Sequence, residues 1–151
     1  MIQRIQSIYL LLAGALMSGS IFFPLATADG DAAALASTGD NFFADGVYKA
    51  SEFPGWFGML AFAVLCLVAI FLYNNRPRQQ QLTWGVLAGV VVLIVWLSVL
   101  GWKYAHALPA GSAAHLALGS AFAPLSLPLL FLAGRAIGKD EKLVRSADRL
   151  R

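Results

Sequence analysis

Four long apolar runs, separated by polar stretches, set the pattern of this chain. The first, "IQSIYLLLAGALMSGSIFFPLA", extends from Ile5 to Ala26, and the second, "GWFGMLAFAVLCLVAIFLY", from Gly55 to Tyr73. The third covers Leu82 to Tyr104 and the fourth Ala113 to Ala133. A helix needs about 20 mostly apolar residues to cross the hydrocarbon core. Each run meets that length, and none carries Asp, Glu, Lys or Arg in its middle. Lipid forces backbone polar groups to pair within the segment, and barrel strands would alternate, so all four runs are read as helices. The connections Asn74 to Gln81 and Ala105 to Ser112 are short, which pairs neighbouring helices antiparallel. The expected fold is an all-α membrane protein with four transmembrane helices, up-down-up-down, in a single integral membrane domain over residues 1–151. An outer loop, 27–54, and a tail, 134–151, complete it.

Composition agrees: 59% of residues are hydrophobic and 13% charged, about half the charge of a soluble domain. The placement of charge sets orientation. Of the 11 Lys and Arg, only Lys49 and Lys103 fall on one side. Arg4, Arg76, Arg78, Arg135, Lys139, Lys142, Arg145, Arg149 and Arg151 fall on the other. Cytoplasmic loops carry the excess of Lys and Arg, so both termini are expected in the cytoplasm. Trp56, Tyr73, Trp84, Trp102 and Tyr104 stand at span borders as interfacial anchors. The first run has a rival reading as a secretory signal, with Arg4 before it and an A-x-A site at Ala26 to Ala28. Its length and thin positive flank favour a retained helix.

The outer loop holds Asp29, Asp31, Asp40, Asp45 and Glu52 against Lys49. Their spacing fits no EF-type calcium loop, so a solvated acidic loop is expected. Asp45-Gly46 suits a type I′ turn, and a small outer β-hairpin is expected, pairing Phe42 to Ala44 with Val47 to Lys49. "DAAALAS" upstream suits a short helix capped by Asp31.

Candidate chemistry is sparse. The single cysteine, Cys66, lies in an apolar run and reads as an inert thiol, with no intrachain disulfide possible. His106 and His115 flank the turn between the third and fourth runs, where haem or metal ligation competes with a plain interfacial role. Two unclustered histidines favour the plain role, and no cofactor is expected. Pro124 and Pro128 lie inside the fourth run as candidate kink residues, since each removes an intrahelical hydrogen bond. Gly85 and Gly89, and Gly14 and Ser18, have the small-xxx-small spacing of candidate helix-packing positions, within the chain or in a homo-oligomer. With no ionisable group at membrane depth and no nucleophile set or phosphate loop, an enzyme is not expected.

The tail "GKDEKLVRSADRLR" alternates charge with Leu143, Val144, Ala147 and Leu150, one apolar stripe on a helix. It reads as a separate amphipathic cytoplasmic helix, about Asp140 to Leu150, with Gly134 and Gly138 loosening its join to the fourth run. It would lie on the anionic inner leaflet, dock on a protein, or serve only as a positive-inside stop signal. Its candidate interaction residues are Lys139, Lys142, Leu143, Val144, Arg145, Asp148, Arg149 and Leu150.

"MIQRIQSIYLLL" at the start and "KDEKLVRSADRLR" at the end resemble the two signatures of a bacterial family of four-span membrane proteins, known as domain of unknown function 4293. The resemblance covers the whole chain, and the tail is its specific part. It implies a multi-pass protein of the bacterial inner membrane. It implies no activity, cofactor or catalytic residue. The expected function is a non-enzymatic accessory or scaffold subunit whose partners are the lipid bilayer and a protein or second copy, with no nucleic acid. The alternative is a small transporter or channel subunit built on the proline-bearing fourth helix.

Overall fold

A computed structural model describes residues 2–29, 47–49, 56–107, 111 and 113–148. Within them the chain is mostly helical, with a small antiparallel sheet at one end. The elements are α1 (Ile2–Gly19), β1 (Pro24–Asp29), β2 (Val47–Lys49), α2 (Trp56–Phe71), α3 (Arg76–Ala107), β3 (Ala113–Leu116) and α4 (Leu118–Asp148). A single 3₁₀ turn, Leu72–Asn74, follows α2. Helix α1 packs on α2 and α4, and α3 packs on the same two, so the four helices close a ring.

The membrane character is written on the outer surface. Ile8, Leu11, Phe57, Phe71, Val92, Val95 and Val99 are all exposed, an apolar surface that water would not tolerate at this extent. Inside the ring stand smaller groups: Ala13, Ala63, Cys66, Ala69, Ala123 and Ala133, with Leu10, Met17, Met59 and Leu130 filling between them. Helix packing in lipid gains from such close backbone approach rather than from expelling water. The buried hydroxyls turn onto their own helices. Ser20 Oγ donates to the Met17 carbonyl at 2.7 Å, Ser126 Oγ to the Ala123 carbonyl at 2.7 Å, and Thr83 Oγ1 to the Gln79 carbonyl at 2.9 Å.

Three helices are long and apolar enough to cross a membrane: Trp56–Asn74, Arg76–Lys103 and Leu118–Val144. The first predicted span is shorter than expected. The apolar run to Ala26 was expected to be one helix, but the apolar helix is Ile5–Gly19. Pro24 explains the break, because a helix through it would drive its ring into the Ser20 carbonyl, and proline suits the first position of a strand. The helix closes through tight backbone bonds, Ile21 to Ser18 and Phe22 to Gly19, and "PLATAD" continues as β1.

β1 is the centre of the sheet, in the order β2-β1-β3. Ala26 faces Tyr48 on one side and Leu116 on the other. The fourth span likewise starts later than expected: Ala113–Leu116 is strand, reached from Gly111 at φ 95°, a left-handed conformation that glycine adopts freely. The expected hairpin partner Phe42 to Ala44, its Asp45-Gly46 turn and the Asp31-capped helix lie outside the described residues. Val47–Lys49 is a strand, and the partner described for it is β1.

Both of the longest helices outrun the bilayer. At 1.5 Å per residue, α3 with 32 residues and α4 with 31 extend about 48 and 46 Å, against about 30 Å of hydrocarbon. α3 starts six residues before the expected Leu82. Asn75 caps it, its Oδ1 accepting from the Arg78 N–H at 3.4 Å, and Pro77 occupies the first turn, where its missing N–H is not needed. α4 runs on without a break from the apolar segment to Asp148. The tail is therefore not a separate helix, and Gly134 and Gly138 are not a joint. Pro124 and Pro128 also stand within the continuous helix.

Candidate functional site

The overhanging turns of α3 and α4 lie together at the end of the ring opposite the sheet. Here the glycines of α4 serve contact. A Cβ on Gly134 would stand 3.1 Å from the Trp84 ring, and one on Gly138 2.7 Å from Gln80 Nε2. Two glycines four residues apart thus let α3 side chains lie directly on the α4 backbone. One turn further, Arg76 Nε meets Asp140 Oδ2 at 3.3 Å, with both side chains mostly buried. Gln79 Nε2 donates at 2.9 Å to the Ala69 carbonyl in the last turn of α2, one of the acceptors a helix end leaves open. These contacts fasten α2, α3 and α4 to one another where the apolar surface ends.

Between α3 and α4 at this end is an open cleft of about 380 Å³, lined by Gln80 and Trp84 from α3 and by Arg135, Lys139, Glu141 and Lys142 from α4. Trp84 meets Phe131 edge-on, ring centroids 5.8 Å apart at 81°, and the Arg135 guanidinium carbon lies 5.8 Å from the same Phe131 centroid. A second, apolar cleft of about 220 Å³ lies under the sheet, among Leu25, Tyr48, Met59, Leu97, Leu116 and Ala123.

The predicted interaction residues divide. Lys139 and Lys142 line the first cleft. Leu143 and Val144 are exposed, at 56% and 41%, on the projecting part of α4. Arg145 and Asp148 belong to α4 by backbone, and Arg149 and Leu150 lie outside the described residues. Of the predicted packing residues, Gly14 lies against α2, where a Cβ would be 3.4 Å from the Ala63 carbonyl and the Cys66 Cβ. Ser18 Oγ donates to the Gly14 carbonyl at 3.0 Å. Gly89 faces the Phe62 ring, whereas Gly85 has open space around it. Both prolines of α4 are exposed. The histidines have different partners: His115 Nε2 is 3.3 Å from Asp29 Oδ2 across the sheet, and His106 Nδ1 is 2.9 Å from the Trp102 carbonyl. Among the described residues, no three His, Cys, Asp or Glu are grouped to hold a metal ion.

Sequence reasoning missed the structural roles of Arg76, Gln79, Gln80 and Asp140. A signal for the first three was present in Asn75 and Pro77, a helix start that carries the polar "RPRQQQ" into α3. A signal for the α4 side was the spacing of Gly134 and Gly138, the same spacing noticed at Gly85 and Gly89.

The family model described as domain of unknown function (DUF4293) matches residues 2–150, and the chain belongs to that family. No curated protein and no solved structure matches it.

Proposed function

We propose that this DUF4293 protein is a multi-pass protein of the bacterial inner membrane, with α1 as a fourth span and both termini in the cytoplasm. It acts without enzymatic chemistry, as an accessory or scaffold subunit whose projecting α4 is the cytoplasmic contact with a partner protein or the inner leaflet. The nine-to-two distribution of Lys and Arg supports the orientation. The observation that carries the role is the continuity of α4 from Leu118 to Asp148, with Asp140 tied to Arg76. A bare stop signal needs charge only. A rigid helix, fastened to its neighbour and presenting Leu143 and Val144 just past the charged stretch Lys139–Lys142, is built to meet something. The interior is filled with small apolar groups and self-bonded hydroxyls, which favours support over transport.

Purification of the tagged protein from native membranes, with and without Leu143→Asp, tests this. A stoichiometric larger partner that the substitution removes is the expected result. A homo-oligomer with a conducting polar pore, indifferent to Leu143→Asp, would overturn it.

A further inference from the structure

The α3–α4 cleft has two kinds of wall. Arg135, Lys139 and Lys142 recur at i, i+4 and i+7 and so share one stripe of α4, and all three line the cleft. Glu141 is the one acid there, leaving the cations in excess. Asp140, the next acid, is already met by Arg76 and does not cancel them. Gln80 adds an amide from α3. Toward the middle of the membrane the wall changes character. Trp84 lines the cleft there, 38% exposed, and beside the cleft Phe131, 44% exposed, meets it edge-on and continues into the apolar surface of the ring. A ligand matching both walls carries an anion at one end and hydrocarbon at the other. A soluble anion would meet the cations but leave the Trp84–Phe131 wall unused.

We propose that this cleft binds the phosphate of an anionic glycerophospholipid, with Arg135, Lys139 and Lys142 around the headgroup and an acyl chain along Trp84 and Phe131. Basic pockets between membrane helices at the cytoplasmic face are suited to such headgroups. The inference rests on the membrane placement above and is independent of any protein partner.

Trp84 supplies the readout. In the full chain with Trp56→Phe, Trp96→Phe and Trp102→Phe it is the sole tryptophan. Brominated phosphatidylglycerol in neutral detergent micelles should quench it at a mole fraction at least tenfold below that needed for brominated phosphatidylcholine. Each cation neutralised should lower the preference about fivefold, so Lys139→Gln with Lys142→Gln should remove most of it. Arg78→Gln, an exposed cation outside the cleft, should leave it unchanged. Equal quenching by the two lipids would overturn the site. So would a preference that survives the double substitution, or one that Arg78→Gln reduces equally. Displacement by millimolar inorganic phosphate would overturn the lipid assignment in favour of a soluble-anion site. Should the lysine pair destabilise the protein, Arg135→Gln alone is read against the same fivefold expectation. A missing protein partner defeats the accessory reading and leaves this one standing; a missing lipid preference does the reverse.

Discussion

Gly85 and Gly89 share a helix and a spacing but not an environment. A Cβ on Gly89 would lie 2.5 Å from two carbons of the Phe62 ring, while one on Gly85 would meet nothing within 4 Å. The Phe62 ring, packed between α2 and α3, would have to swing out of its place to admit a methyl group. Gly89→Ala should therefore destabilise by about 1–3 kcal/mol, the usual range for overpacking. Gly85→Ala should be neutral or gain up to about 1 kcal/mol from helix propensity. Thermal unfolding in one detergent compares the pair; equal shifts would contradict the placement of Phe62. Spacing alone was readable in the sequence, and it marked Gly85 and Gly89 alike. What separates them is where the neighbouring helix puts an aromatic ring. The same limit hid Gly134 and Gly138, whose polar surroundings suggested a hinge although their spacing is that of a packed face.

At the scale of elements, hydropathy located the helices but not their ends. α1 gives way to β1 inside one apolar run, because "IFFPLA" prolongs the apolar pattern past the helix end and only Pro24 marks the change. α3 and α4 do the opposite, carrying helix into polar sequence that water-facing loops would also suit. Tertiary contact decides that case. Removing the tie should show it. Arg76→Gln strips Asp140, 15% exposed, of its ion-pair partner. Breaking a buried pair costs more than breaking a surface pair, and this partly exposed one should cost about 1–3 kcal/mol. Amide exchange should rise over 136–148 and stay unchanged over 118–130. Asp140→Asn added to Arg76→Gln should restore part of the loss, since the orphaned charge is then gone. A uniform rise along α4 would contradict the clamp.

For the whole molecule, helical content, an apolar exterior and the family were all legible in the residues. The sheet was legible only in part, because its central strand draws partners from two connections far apart in sequence. Orientation is open to direct measurement. In a Cys66→Ser background, Asp45→Cys should react with an impermeant maleimide on intact cells. Arg78→Cys should react only after the cells are opened. The reverse pattern would invert the protein and move the basic cleft to the other leaflet.

The strand order β2-β1-β3 bears on how the protein is made. β1 leaves the ribosome early, directly behind α1, yet one of its two edges is covered only by Ala113–Leu116. That partner is synthesised after α2 and α3 and just ahead of α4. Until then β1 exposes a row of unpaired amides, the kind of edge that invites pairing with the wrong chain. Closure of the sheet thus waits on the short segment that immediately precedes the last helix. A nascent chain arrested before Ala113 would carry an open sheet edge, and protection of β1 by chaperones at that stage is where its quality control should concentrate.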